Sequence, residues 1–295
     1  MVKSNIVIRI LGNNLKYLHS SNQTIDNLKF TLQNEPEFED TDKIYILNRI
    51  VDKVIKQKII SLLNDNNMPY IDIPLNLDKY LKIPKLDINE KDILNMTWND
   101  VKYITMKMYK HNLFLIANNE TRNYAINYGK KKGYKWIYVL DSNSFLRKID
   151  FDLIIKNILP DTDYLALPQR RLLDNNLNNN TVNNSDFDIS KLPEQEPQLV
   201  FKNTSKEIFN EELPYGCIPK AELINALGIP GKWNQWNECF PYFKKRHFKN
   251  IKWQKLSNII RLNPGNKKND VKNNWKYRYI GLYYLIREVD KLVNV

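Results

Sequence analysis

Cysteine is nearly absent: Cys217 and Cys239 are the only two in 295 residues. Two thiols make no disulfide framework, so a reducing compartment is the simpler setting. Histidine is scarce as well. His19, His111 and His247 are the only three, and none sits in an HExxH string or beside a cysteine pair, which argues against a zinc site. No run of eighteen apolar residues occurs, so no segment reads as a membrane span. The opening MVKSNIVIRIL has neither an apolar leader core nor a cleavage site and reads as a first strand. That strand is not followed by GxGxxG, and GxxxxGKS/T is missing throughout, so the usual dinucleotide and P-loop readings lack their phosphate cradle. No GxSxG elbow is present and neither cysteine has a local nucleophile signature, which leaves carboxylates to supply any base. No internal repeat is apparent.

What the chain does have is basic charge and enough apolar residues, 42%, for a sizeable core. The net charge of +12 suggests an anionic partner: a nucleotide diphosphate, a nucleic acid or an acidic membrane surface. A lysine-rich surface that only confers solubility is the plain alternative. The basic clusters at 130–132, 244–246 and 267–268 are short and scattered, and none forms a long arm. The wealth of Asn, Lys, Ile and Tyr is what an AT-rich genome encodes, as in a large DNA virus or a parasite, and reads as coding bias rather than chemistry. The expected setting is cytoplasmic, either free, peripheral to a membrane, or associated with a virion.

Strands and helices alternate through the first half. Ile6–Leu11 reads as a strand closed by the Gly12-Asn13-Asn14 turn. Thr24 is placed to cap a helix carrying Ile25, Leu28 and Leu32 on one face. Lys43–Leu47 is a second strand, and Val51, Val54, Ile55, Ile59 and Leu62 mark the clearest helix. Tyr70–Ile73 is a third strand. This alternation predicts a parallel sheet with right-handed crossovers. In Asp150-Phe151-Asp152 the acids suit the start of a helix. Tyr164–Leu167 and Gln198–Phe201 have strand character. The Asn-rich segment 174–190 between them reads as a mobile surface loop, either a lid or a tolerated insertion. Gly and Pro turns beside Trp233 and Trp236 suit a sugar-binding wall or a packed corner. A final helix carries Leu282, Leu285, Ile286 and Val289 on one side.

The segment 118–145 concentrates the chemistry. Asn118 and Asn119 suit a helix N-cap, and Thr121, Ala125 and Tyr128 follow at helical spacing. Gly133 suits the C′ position, and Trp136–Leu140 is an apolar run of strand length. The run ends in Asp141-Ser142-Asn143, where an open α/β sheet binds ligands, at the carboxyl end of a strand. A turn-forming role for Asp141 and Asn143 is the alternative.

Thr121-Arg122-Asn123-x-Ala125 followed by a strand and Asp141-Ser142-Asn143 resembles the Ala-Arg-Asn helix and Asp-x-Asp strand end of GT-A-fold, nucleotide-sugar-dependent glycosyltransferases. The resemblance covers the first half of the chain. It implies a GT-A-like, Rossmann-type α/β sandwich with a mostly parallel central sheet and a C-terminal acceptor-side region. Residues 1–145 would bind the donor, and 146–295 would form the acceptor side, packed as one globular unit. It implies that Arg122, Asn123, Asp141, Ser142 and Asn143 contact a nucleotide-sugar donor. Asp141, Asn143 and the later His247 would hold a divalent cation, Mn or Mg. Asn143 departs from the family's Asp and carries no charge. Glu238, after Trp233 and Trp236, resembles the family's acidic acceptor-side residue and would act as the catalytic base toward a glycan or protein acceptor; a surface carboxylate is the alternative. The stretches LPQRRLLDN, EPQLVF and LPYGCIPKAELINALGIPGKWNQW are similar to uncharacterised proteins sharing this core and add no activity. A second function class is a non-catalytic binder of nucleic acid or glycan on the same scaffold. Nucleic-acid binding predicts steep salt dependence, whereas a transferase predicts selectivity for one nucleoside diphosphate.

Overall fold

The computed structural model describes residues 3–175, 183–184, 186–216, 219–231, 246–263 and 274–294. Cys217, Trp233, Trp236, Glu238, Cys239 and much of the Asn-rich segment lie outside the described residues. The fold is mixed α/β and Rossmann-type, with a curled, mostly parallel central sheet. Strands β1 (Asn5–Leu11), β2 (Thr41–Asn48), β3 (Tyr70–Ile73) and β4 (Trp136–Asp141) form a parallel set in the order β3-β2-β1-β4. β1, β2 and β4 are near-continuous apolar runs because helices cover both faces. Beyond β4 the sheet continues without a break into β7 (Glu194–Lys202), which is antiparallel, and then β6 (Tyr164–Arg171). β9 (Ile259–Arg261) and β8 (Trp253–Lys255) pair parallel to β6, and β5 (Ser144–Phe145) closes the path against β9. Trp136–Leu140 is therefore central, as expected.

The longer helices of the N-terminal half are α1 (Gln23–Asn34), α2 (Lys53–Asp65), α5 (Val101–Leu115) and α6 (Asn118–Lys131). The short α3 (Leu77–Tyr80) and α4 (Glu90–Asn95) occupy a stretch with no clear apolar period, and α7 (Lys148–Asn157) follows β5. α8 (Pro219–Ala226) and α9 (Asn274–Leu292) complete the described helices. The expected caps differ in detail. Thr24 lies inside α1, where its N–H and hydroxyl both donate to Asn14 Oδ1, at 3.1 and 2.7 Å. α6 is preceded by Ala117 in the left-handed conformation, φ 45°, and Asn119 instead donates to the Asn210 carbonyl. Asp150 lies in the first turn of α7, as expected for an acid at a helix start, and its carboxylate accepts from Arg147 Nε and Ser257 Oγ. Two glycines permit close approach. A Cβ on Gly129 would lie 2.5 Å from Ile137, so α6 packs directly on β4. A Cβ on Gly281 would lie 2.7 Å from the Lys16 carbonyl, so α9 lies against the loop after β1.

Candidate functional site

A cavity of about 1060 Å³ opens where β1, β2 and β4 end, lined at those ends by Ile10, Asn48 and Asp141. This is the place where open α/β sheets bind ligands. One wall comes from the loop after β1 and the start of α1, where polar, uncharged side chains such as Asn13, Asn14, His19, Gln23 and Asn27 predominate. The opposite wall comes from β6, β7, β9 and α8, and carries Arg170, Glu194, Glu196, Lys220 and Arg261. Arg278 reaches the cavity from α9, one turn before Gly281.

Asp141 sits between the walls. Its Oδ1 accepts from Arg122 Nη2 at 2.8 Å, and its Oδ2 accepts from Gln198 Nε2 at 2.9 Å and lies 3.5 Å from Lys220 Nζ. α6 positions Arg122, whose Nη1 also donates to Asn119 Oδ1 and whose guanidinium lies over the Phe209 ring. Beneath Asp141, Gln169 and Gln198 both donate to the buried Ser144 hydroxyl, and Lys220 donates to Gln169 Oε1 at 3.3 Å. Burial alone would raise the Asp141 carboxyl. The Arg122 guanidinium, the Lys220 ammonium and the Gln198 amide overcome that and hold it well below the usual carboxylate range. Burial also pulls the Lys220 ammonium below its ordinary value, against the attraction of Asp141 and Glu196. Glu196 follows the Asp141 pattern: burial pushes up, Lys220 and Arg261 pull down further, and the carboxyl settles at about 2. His19 is lowered to about 4 by burial and by Arg278, so it is neutral near pH 7. Its Nδ1 accepts the Leu15 N–H at 2.9 Å.

Four of the expected site residues, Arg122, Asp141, Ser142 and Asn143, line this cavity together. Two expectations need correction. Asn123 is buried away from the cavity, and its amide holds the Phe209–Glu211 segment: Nδ2 donates to the Phe209 carbonyl and Glu211 Oε1, and Oδ1 accepts the Phe209 N–H. That makes Asn123 a positioning residue rather than a donor contact. His247 is exposed, outside the cavity lining, and so does not join Asp141.

The donor set around Asp141 does not fit a divalent cation. Both its oxygens already engage cationic or amide donors, and an added ion would stand beside Arg122 and Lys220. Among the described residues no three His, Cys, Asp or Glu side chains gather as a metal-binding group. Asn143 Oδ1 is buried and unpartnered, but it is one neutral oxygen. Residues that the sequence did not single out complete the site: Gln169, Gln198, Glu196, Lys220, Arg261 and Arg278. Gln169, Glu196, Gln198 and Lys220 fall within the stretches LPQRRLLDN, EPQLVF and LPYGCIPKAELINALGIPGKWNQW, and in β6 and β7 their local signal is a run of polar residues in otherwise buried strands.

Among the described residues no helix is long and apolar enough to cross a membrane. No known protein-family pattern matches the chain, and no curated protein matches it. Among solved structures the chain is similar to the crystal structure of 4-diphosphocytidyl-2C-methyl-D-erythritol synthase from Anaerococcus prevotii. The match covers 97% of this chain and 100% of that one, at 10% identity and a TM-score of 0.32. A likeness that remote carries no argument about function.

Proposed function

We propose that the protein is a glycosyltransferase that moves a sugar from a nucleoside-diphosphate donor to an acceptor hydroxyl. The observation that carries this reading is the cavity itself: large enough for a nucleotide sugar, set at the ends of parallel strands, and lined by more cations than carboxylates. The polar wall of Asn13, Asn14, Gln23 and Asn27 supplies amide donors and acceptors suited to a base and ribose. In the reaction the acceptor oxygen bonds to the anomeric carbon as the bond to the diphosphate breaks. The acceptor proton passes to a carboxylate, for which Glu238 is the candidate by resemblance, and the nucleoside diphosphate leaves with its added negative charge. Asp141 holds Arg122 and Lys220 in place, and these two cations offset the charge of the diphosphate. A concave cavity favours a small anionic ligand over the open basic face that duplex nucleic acid needs.

The test is a thermal-shift panel of nucleoside diphosphates and their sugars, with Mn²⁺ and with EDTA. One nucleoside should raise the melting temperature selectively, by mass action, and its sugar should be released to water or an acceptor. Equal response to all nucleotides, with affinity collapsing in moderate salt, contradicts the reading.

A further inference from the structure

Three guanidiniums converge beside this cavity from distant parts of the chain. Arg171 and Arg261 are register partners on the adjacent parallel strands β6 and β9. Arg278 comes from α9, and both it and Arg261 line the cavity. Glu196 alone among the described carboxylates contacts the group, 3.1 Å from Arg261, and it is shared with Lys220 at 3.8 Å. Arg171 and Arg278 make no ion pair among the described residues. The Nε atoms of Arg261 and Arg278 are buried with no hydrogen-bond partner among the described residues. The group is close enough to repel itself: burial and then Arg261 press Arg171 down, Glu196 opposes them, Arg278 adds a smaller push, and the guanidinium settles at about 10. Arg122, Arg170, Lys220, Lys255, Arg261 and Arg278 line the cavity, and among the described residues the carboxylates that line it are Asp141, Glu194 and Glu196, so positive charge is in surplus. Buried like charges and orphaned donors are costly unless an anion joins them.

We propose that Arg171, Arg261 and Arg278 form an oxyanion site that takes a phosphate-type group and needs no metal ion to do so. A single carboxylate would leave most of the surplus charge unmatched, whereas a phosphate brings more charge and three oxygens for planar two-pronged donors. The site deepens the transferase reading and rests on it only for the identity of the molecule that carries the phosphate. Two sources share this chemistry: the donor's own diphosphate, and a phosphorylated acceptor.

The experiment uses the full chain, inorganic phosphate and pyrophosphate as probes, and EDTA throughout. Both probes should raise the melting temperature of the parent. Arg278→Gln should melt at or above the parent without probe, because repulsion is relieved, yet bind pyrophosphate at least about tenfold more weakly. Arg261→Gln should show the same loss of binding, and Lys29→Gln on the exposed face of α1 should bind like the parent. If Arg278→Gln and Arg261→Gln bind both probes as the parent does, or if the parent binds neither probe in EDTA, the site is overturned. Displacement of pyrophosphate by a nucleoside diphosphate supports the site and assigns it to the donor; simultaneous binding supports it and assigns it to the acceptor. Phosphate binding with no response to any nucleoside diphosphate keeps the site and removes the transferase reading.

Discussion

Arg9–Glu35 and Arg122–Asp141 are the same kind of pair in two settings. Arg9 and Glu35 are sealed, at 1% and 2% side-chain exposure, and every prong is used: Arg9 donates to both Glu35 oxygens and to the Ser144 carbonyl, and Leu146 N–H donates to Glu35. That pair ties β1 to the turn after β4 and leaves nothing for a ligand. Asp141 is 24% exposed and faces a cavity where cations outnumber carboxylates. Balanced charge in a closed core fixes the chain. Unbalanced charge at an open strand end is free to hold an anion.

The largest effect should come from the sealed pair. Glu35→Gln leaves Arg9 buried without a counter-charge and should cost about 3–5 kcal/mol in denaturant unfolding. The folded fraction should still bind nucleotide normally. Asp141→Asn should cost less, ~1–3 kcal/mol, because the open cavity lets water reach Arg122 and Lys220. Its sharper readout is binding: anion affinity in EDTA should be retained or increased, since a negative charge has gone. Parental binding that needs Mn²⁺ and is lost in that variant would mean that Asp141 holds a metal ion.

An acid titration separates the two regions further. His19 is lowered from 6.5 to about 4, so between those values the unfolded chain binds more protons than the folded one. Stability is therefore full above about pH 6.5 and falls as pH drops toward 4, by ~2 kcal/mol after allowing for partial exposure. Protonation of Nδ1 also removes the acceptor of the Leu15 N–H. His19→Gln should flatten that part of the stability curve. Below it, Glu196 loses its contribution as pH falls through the ordinary carboxylate value toward about 2. The smallest effect on folding belongs to Arg122→Lys, ~1 kcal/mol or less, because lysine keeps the charge opposite Asp141 but not the second prong to Asn119. Donor affinity should fall more than stability does; unchanged affinity would make Arg122 a structural residue only.

The two settings also differ in how far the sequence reveals them. β1, β2 and β4 are apolar runs of strand length, and the strand-end rule led from Trp136–Leu140 to Asp141 and the cavity. Ile59 and Leu63 form the buried stripe of α2, with Ile55 half-buried against the same cluster, although Val54, on the same apparent period, is exposed. The far half of the sheet left weaker traces. β5, β8 and β9 are two or three residues long, too short for any period; β8 and β9 exist through pairing with distant β6, and β5 through pairing with β9. The arginine cluster is harder still. Residues 171, 261 and 278 come together only when β9 pairs with β6 and Gly281 lets α9 approach the loop after β1. Asn123 shows the converse failure: its motif neighbour Arg122 faces the cavity, while one position along the helix turns it toward the Phe209 segment.

The most direct test is a crystal structure of the full chain with the nucleoside diphosphate selected by the thermal panel, grown with Mn²⁺ present. The account predicts the nucleoside against Asn14 and Gln23, a phosphate-type group, from the donor or an added phosphate, within hydrogen-bond reach of Arg261 and Arg278, and no ion on Asp141. A Mn²⁺ ion bridging Asp141 and Asn143 to the diphosphate, or a nucleotide bound outside this cavity, would contradict it.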